Sequence, residues 1–182
     1  MTPTHGTPAI DPGAQSTDVL FTEVYARLKA MAGRQLTQGR AGSTLDTTAL
    51  VHELYLRMSS KRELSFEHPT QFFAYAARAM RHLLADRARD RLRQRAGGAW
   101  VRITLTGADQ QLAIESAEQA LAIDAAIHRL ETTDARAAQV LELHYFAGLT
   151  IQQIAGTLNL ATSTIDRDWR FARAFLKTQI TS

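Results

Sequence analysis

The chain contains no cysteine. That removes disulfides, thiolate metal ligands and cysteine nucleophiles from consideration, and it is compatible with a cytoplasmic protein. Proline is nearly as scarce. Three of the four fall within the first 16 residues, and only Pro69 follows, so the remainder is free to run in long helices. No apolar run approaches the roughly 20 residues that a membrane-spanning helix needs. The first residues, MTPTHGTPAIDPGAQS, have neither the basic start nor the apolar stretch of a secretory signal. Glycine-rich phosphate loops and nucleophile elbows are also missing. The six histidines (His5, His52, His68, His82, His128 and His144) show no metal-ligand spacing. His52 beside Glu53 comes nearest, but adjacent helix residues point apart. Nothing in this pattern calls for an enzyme, a metal or a cofactor.

What is present is charge, unevenly placed. The net charge of +3 conceals 14 Lys+Arg against 8 Asp+Glu between Thr17 and Ala96, and 7 against 9 from Gly97 onward. The densest stretch is Arg78 to Arg95, with seven arginines, two aspartates and no lysine. The planar fork of arginine suits phosphates and base edges, so this run is a candidate nucleic-acid surface. A merely solvated face would show the same density.

Apolar spacing divides the rest into helices. Residues 1–16 read as a disordered tail. Ser16 or Thr17 opens a helix whose stripe is Phe21, Val24, Tyr25, Leu28 and Met31. A second helix, TTALVHELYLRM, buries Leu50, Leu54 and Met58 and turns His52, Glu53 and Arg57 elsewhere. Ser59 to Pro69 breaks the rhythm and reads as a loop with Phe66 as its lone aromatic. A long helix, about Thr70 to Arg95, follows until Gly97 and Gly98. Trp100 to Ile114 has a short alternating patch, but a lone hairpin is marginal in water, so residues 97–115 are expected to be a linker. Helices over about Ser116 to Leu130 and Ala135 to Phe146 follow, the latter capped by Asp134 and ended by Gly148.

Thr150 to Arg173 is the most specific stretch. Thr150 and Gln153 form a capping box. Ile151, Ile154, Ala155 and Leu158 share a face, Asn159 suits a left-handed helix end, and Leu160 is placed under the turn. A second helix buries Ile165, Trp169 and Ala172. Its other side carries Thr162, Ser163, Asp166, Arg167, Arg170 and Arg173. A cationic, hydrogen-bonding helix propped on a buried partner is the helix-turn-helix geometry that enters a DNA major groove. Asp166 is expected to pair with Arg170 at i, i+4. Ala161 offers no cap, so Thr162 or Ser163 is expected to take that role.

Two segments in order, TTALVHELYLRM with FFAYAARAMRHLLADRARDRLRQR, then VLELHYFAGLTIQQIAGTLNL with STIDRDWRFARAFL, resemble the small extracytoplasmic-function class of bacterial sigma factors. The resemblance covers nearly all of Thr17 to Leu176. It implies an all-α protein of two small helical domains joined by a flexible linker. Residues 17–96 would grip core RNA polymerase and open the minus-ten element, residues 97–115 would link, and residues 116–182 would read the minus-thirty-five element. It further implies polymerase contacts at His52, Glu53 and Arg57. Minus-ten contacts would fall on Arg78, Arg81, His82 and Arg87, with Phe66 giving a stacking face to a flipped base. Several relatives have Asn in place of His82. Minus-thirty-five contacts would fall on the second helix of the helix-turn-helix. The implied partners are core polymerase and promoter DNA, with an anti-sigma protein left open. The rival reading is a stand-alone helix-turn-helix regulator, which leaves Arg78 to Arg95 without a role.

Overall fold

The computed structural model describes residues 52–58, 66, 68–93, 103–106 and 111–180. The tail, the helix around Phe21 to Met31, most of the Ser59 to Pro69 loop, Trp100, and the expected end of the long helix at Arg95 all lie outside the described residues. Among those described there are six helices: α1 (52–58), α2 (Pro69–Arg93), α3 (Ala117–Thr133), α4 (Ala135–Tyr145), α5 (Ile151–Leu158) and α6 (Thr162–Ile180). The predominantly helical class expected from proline scarcity holds.

One element departs from expectation. Within the stretch read as a linker, β1 (Ile103–Thr106) and β2 (Gln111–Ile114) pair antiparallel, with Ile103 opposite Ile114 and Leu105 opposite Leu112. An isolated ribbon would be marginal. This one buries Leu105 and Ile114 and packs β2 on α3, which supplies the missing partner.

The helix ends follow from their caps. The Ser116 hydroxyl accepts from the Gln119 amide at 3.1 Å and starts α3. The Asp134 carboxylate accepts from the Ala137 amide at 3.0 Å and starts α4, while its own amide closes α3 on Leu130. α4 is buried on nearly every side, from Ala137 and Ala138 through Val140 to Tyr145. That burial puts α4 at the centre, where it touches α2, α3, α5 and α6.

One apolar cluster runs from Leu54 of α1 to Leu176 of α6. The most extensive helix pairing is α2 on α3. The arginine-dense helix is therefore packed against the C-terminal helices, and the Thr70 hydroxyl donates to the Thr157 carbonyl of α5 at 2.6 Å. That bond satisfies one of the carbonyls orphaned at the end of α5.

Candidate nucleic-acid interface

α5 and α6 form the expected helix-turn-helix. The Thr150 hydroxyl accepts from the Gln153 amide at 3.1 Å, and the Gln153 side chain accepts from the Thr150 amide at 3.0 Å. Asn159 stops α5 in the left-handed region, φ 53°. The Leu160 amide then bonds the Ala155 carbonyl at 3.0 Å. The side chain of Leu160 is exposed rather than tucked beneath the turn, a correction to the expectation. The backbone bond, not an apolar contact, makes the corner.

α6 buries Ile165, Trp169, Ala172 and Leu176. Trp169 lies against Tyr145 of α4, ring centroids 5.3 Å apart. This fixes α6 on the core and leaves Thr162, Ser163, Arg167, Arg170 and Arg173 exposed on its outer side. Arg167 and Arg170 are 74% and 78% exposed. Asp166 pairs with Arg170 at 2.5 Å, as the i, i+4 spacing predicted.

The start of α6 differs from expectation. The helix begins at Thr162, and the Ala161 carbonyl accepts from the Thr164 and Ile165 amides at 3.0 and 3.2 Å. Ala161 therefore holds the capping position without a side chain to fill it. The amides of Thr162 and Ser163 have no intrahelical acceptor there, and such a helix start attracts anions.

Asp168, the second carboxylate of α6, points inward. It is 4% exposed and accepts from Arg136 of α4 through Nε at 2.6 Å and Nη2 at 3.1 Å. That bond to Asp168 raises the Arg136 pKa further. The pair locks α6 to α4 and keeps the carboxylate away from the outer face.

The arginines of α2 are less free than their density suggested. Arg81 is buried, 4% exposed, between three carboxylates of α3 and α4. Its Nη1 donates to Asp124 Oδ1 at 3.0 Å, its Nη2 donates to Glu131 Oε1 at 3.3 Å, and its Nε lies 2.7 Å from Glu142 Oε1. The last contact is an ion pair without hydrogen-bond alignment. Arg78 reaches Glu131 and Glu142 at 3.4 and 3.9 Å, and Arg89 reaches Asp124 at 3.3 Å. Burial pushes the Glu142 carboxyl above its usual range, and the Arg81 and Arg78 charges pull it back only in part.

Arg87 turns the other way. It donates to Glu53 Oε2 through Nε at 3.2 Å and Nη2 at 3.0 Å, and Glu53 also pairs with Arg57 at 2.9 Å. Two groups expected to serve different partners, Glu53 and Arg87, are thus tied together. His52 is exposed. Arg57, Arg78 and His82 line one cleft of about 560 Å³ between α1 and α2, with Leu54, Met58, Tyr75, Ala79 and Asp86. Partial burial, then the charges of Arg81 and Arg78, hold the His82 imidazole below its usual value, against the opposing pull of Asp124 and Asp86.

Phe66 is a correction. It is buried, edge-on to Phe72 at 5.4 Å and tilted against Tyr75 at 5.8 Å. Aromatic packing of this kind is favourable in a core, and it leaves no open face for a base. Among the described residues no acidic or histidine cluster suited to a metal occurs.

The ECF sigma factor family model matches residues 9–182. The chain belongs to the ECF sigma factor family. No curated protein and no solved structure matches it. ECF sigma factors act in transcription initiation, and RNA polymerase and promoter DNA are the partners that membership implies. Among the described residues no helix is long and apolar enough to cross a membrane.

The residues missed in sequence are Asp124, Glu131, Glu142 and Arg136. Glu142 alone left a signal, since it is a carboxylate inside the otherwise apolar run Val140 to Phe146 that also holds His144.

Proposed function

We propose that this ECF sigma factor binds core RNA polymerase and reads both promoter elements, with residues 17–96 and 116–182 addressing the minus-ten and minus-thirty-five elements. The reading is carried by α6: Arg167 and Arg170 stand exposed on a helix fixed through Trp169 and Asp168. Thr162 and Ser163 bring hydroxyls and open amides to the start of that helix, where a phosphate is favoured. Arg173 extends the cationic side, and Asp166 holds Arg170 extended along the helix.

For the minus-ten element, Arg78, Arg81, His82 and Arg87 are the proposed contacts. A strand tracked by arginines needs no sequence-specific geometry at every step. Phe66, buried against Phe72 and Tyr75, enters this reading as a packing residue rather than as a stacking platform. His52 and Arg57, exposed on α1, and Glu53, held by Arg87 of α2, are the proposed polymerase contacts. Weak individual contacts suffice when one large partner holds both halves, because tethering raises the effective concentration.

Run-off transcription with purified core polymerase on a promoter mapped from transcript starts tests the proposal. The parent chain should support initiation, and Arg170→Ala should weaken it by about 1–3 kcal/mol if Arg170 reads a base. Tight binding to a palindrome without polymerase, and no initiation with it, would favour the stand-alone regulator instead.

A further inference from the structure

Among the described residues the large apolar side chains that stand exposed are Leu56, Leu92, Leu160 and Phe171. Phe171, 43% exposed, is the aromatic one, and it lies on α6. Core packing does not call for it. The buried stripe of α6 is Ile165, Asp168, Trp169, Ala172 and Leu176, and Phe171 falls outside that stripe. At 3.6 residues per turn it sits one turn beyond Arg167 and about 40° round the axis from it. In the chain it lies between Arg170 and Arg173, inside the span of the proposed minus-thirty-five contacts. The ring of Phe175, partly buried against the core, supports it from the next turn, with centroids 6.4 Å apart and a tilt of 47°. Aromatic neighbours at i, i+4 restrain each other. The Phe171 ring is thus backed by protein at one edge and open to solvent on the side of α6 that carries Arg167.

We propose that Phe171 reads thymine in the minus-thirty-five element, by laying its ring on the 5-methyl group that thymine presents in the major groove. The inference deepens the promoter reading and rests on it. Arginine, serine and threonine reach a base edge through hydrogen bonds. A phenyl ring offers none, and the thymine methyl is the one apolar group among the base edges of the major groove. Covering one methyl group is worth about fourfold in affinity. Cytosine in the same place lacks the methyl and presents an amine, whose water the ring strips without replacing the hydrogen bond. Thymine is therefore favoured by attraction and cytosine disfavoured by desolvation. The setting of Phe171 selects DNA over a polypeptide as its occupant. Arg167, one turn back and 74% exposed, suits a polyanion, and duplex DNA presents phosphates and thymine methyls on the same groove.

The test uses the full chain bound to core polymerase and a fluorescein-labelled duplex carrying the promoter mapped from transcript starts. Each thymine of the minus-thirty-five element, on either strand, is replaced in turn by deoxyuridine. Deoxyuridine keeps the hydrogen-bonding edge and lacks only the methyl. Fluorescence anisotropy should show the parent losing about fourfold in affinity at one thymine. This reading needs no variant, so it is free of any effect on folding. Phe171→Ala should bind the unmodified promoter about fourfold more weakly and be indifferent to deoxyuridine at that position. Trp169, Ala172 and Leu176 still hold α6 in that variant. Three outcomes would each overturn the inference: no thymine whose methyl matters to the parent, full methyl sensitivity retained by Phe171→Ala, or Phe171→Ala weakening the promoter and a duplex with a scrambled minus-thirty-five element alike. The last would make Phe171 a polymerase contact. The scrambled duplex also separates the two layers. If scrambling weakens binding while deoxyuridine does nothing, the thymine reading falls alone. If scrambling changes nothing, the minus-thirty-five reading beneath it falls as well.

Discussion

Asp168 and Arg136 show what a single pair contributes to the recognition helix. Asp168 is nearly sealed, so removing its partner strands a carboxylate among apolar side chains, with Arg167 still 4.0 Å away as partial relief. Arg136→Ala should therefore lower the urea midpoint more than Asp168→Asn, which removes the buried charge itself. The double variant should recover part of the loss, a non-additivity that a double-mutant cycle reads directly. Gly156 is the opposite case. It is exposed within α5, and a Cβ there would meet nothing within 4 Å. Gly156→Ala should stabilise the chain by about 0.5–1 kcal/mol by restricting the unfolded state, measurable as a raised thermal midpoint with transcription unaffected if the position is clear of DNA. Residue roles were legible where partners are close in sequence. Asp166 with Arg170 follows from helical spacing alone. Asp168 with Arg136, 32 residues apart, does not, and neither does the inward placement of Phe66, which depends on Phe72 and Tyr75 of α2.

At the scale of elements, the helix-turn-helix was readable because local chemistry fixes its ends. A hydroxyl, an amide side chain and a left-handed asparagine need no distant partner. Thr150→Ala should accordingly cost about 1 kcal/mol, seen as a lowered urea midpoint. α6 lacks the same device. Ala161→Ser should supply an acceptor to the open amides and stabilise the helix by about 1 kcal/mol. The free chain should be stabilised whether or not DNA uses those amides, whereas promoter affinity should fall only if a phosphate binds them, so the two measurements together show which applies. The hairpin of β1 and β2 could not be read with the same assurance. Its strands are four residues each, and they become stable only by resting Leu105 and Ile114 on the helical core. Such dependence on a neighbour leaves no mark in local spacing. For this reason the pairing inside residues 97–115 was not read from the sequence, while the helical class was.

At the scale of the whole molecule, the arrangement of α2 against α3 and α4 puts one titratable group at the junction of the two proposed halves. Glu142 sits on α4, faces Arg81 and Arg78 of α2, and has Glu131 of α3 beside it. Burial raises its pKa above the 4.5 of an ordinary glutamate, and the two guanidiniums offset that rise without cancelling it. The folded chain therefore binds this proton more tightly than the unfolded chain. Its contribution to stability is complete below pH 4.5 and is lost as pH rises through the elevated folded value. Glu142→Gln lacks the titration. The stability of the parent relative to Glu142→Gln should then shift in favour of the parent as pH falls from neutral toward 4.5. Other carboxylates, including Glu118 with its lowered pKa, weaken both chains alike in acid and largely cancel in the difference. Urea denaturation of the two chains at both pH values makes the comparison. A difference that moved the other way would mean that attraction to Arg81 and Arg78 outweighs burial.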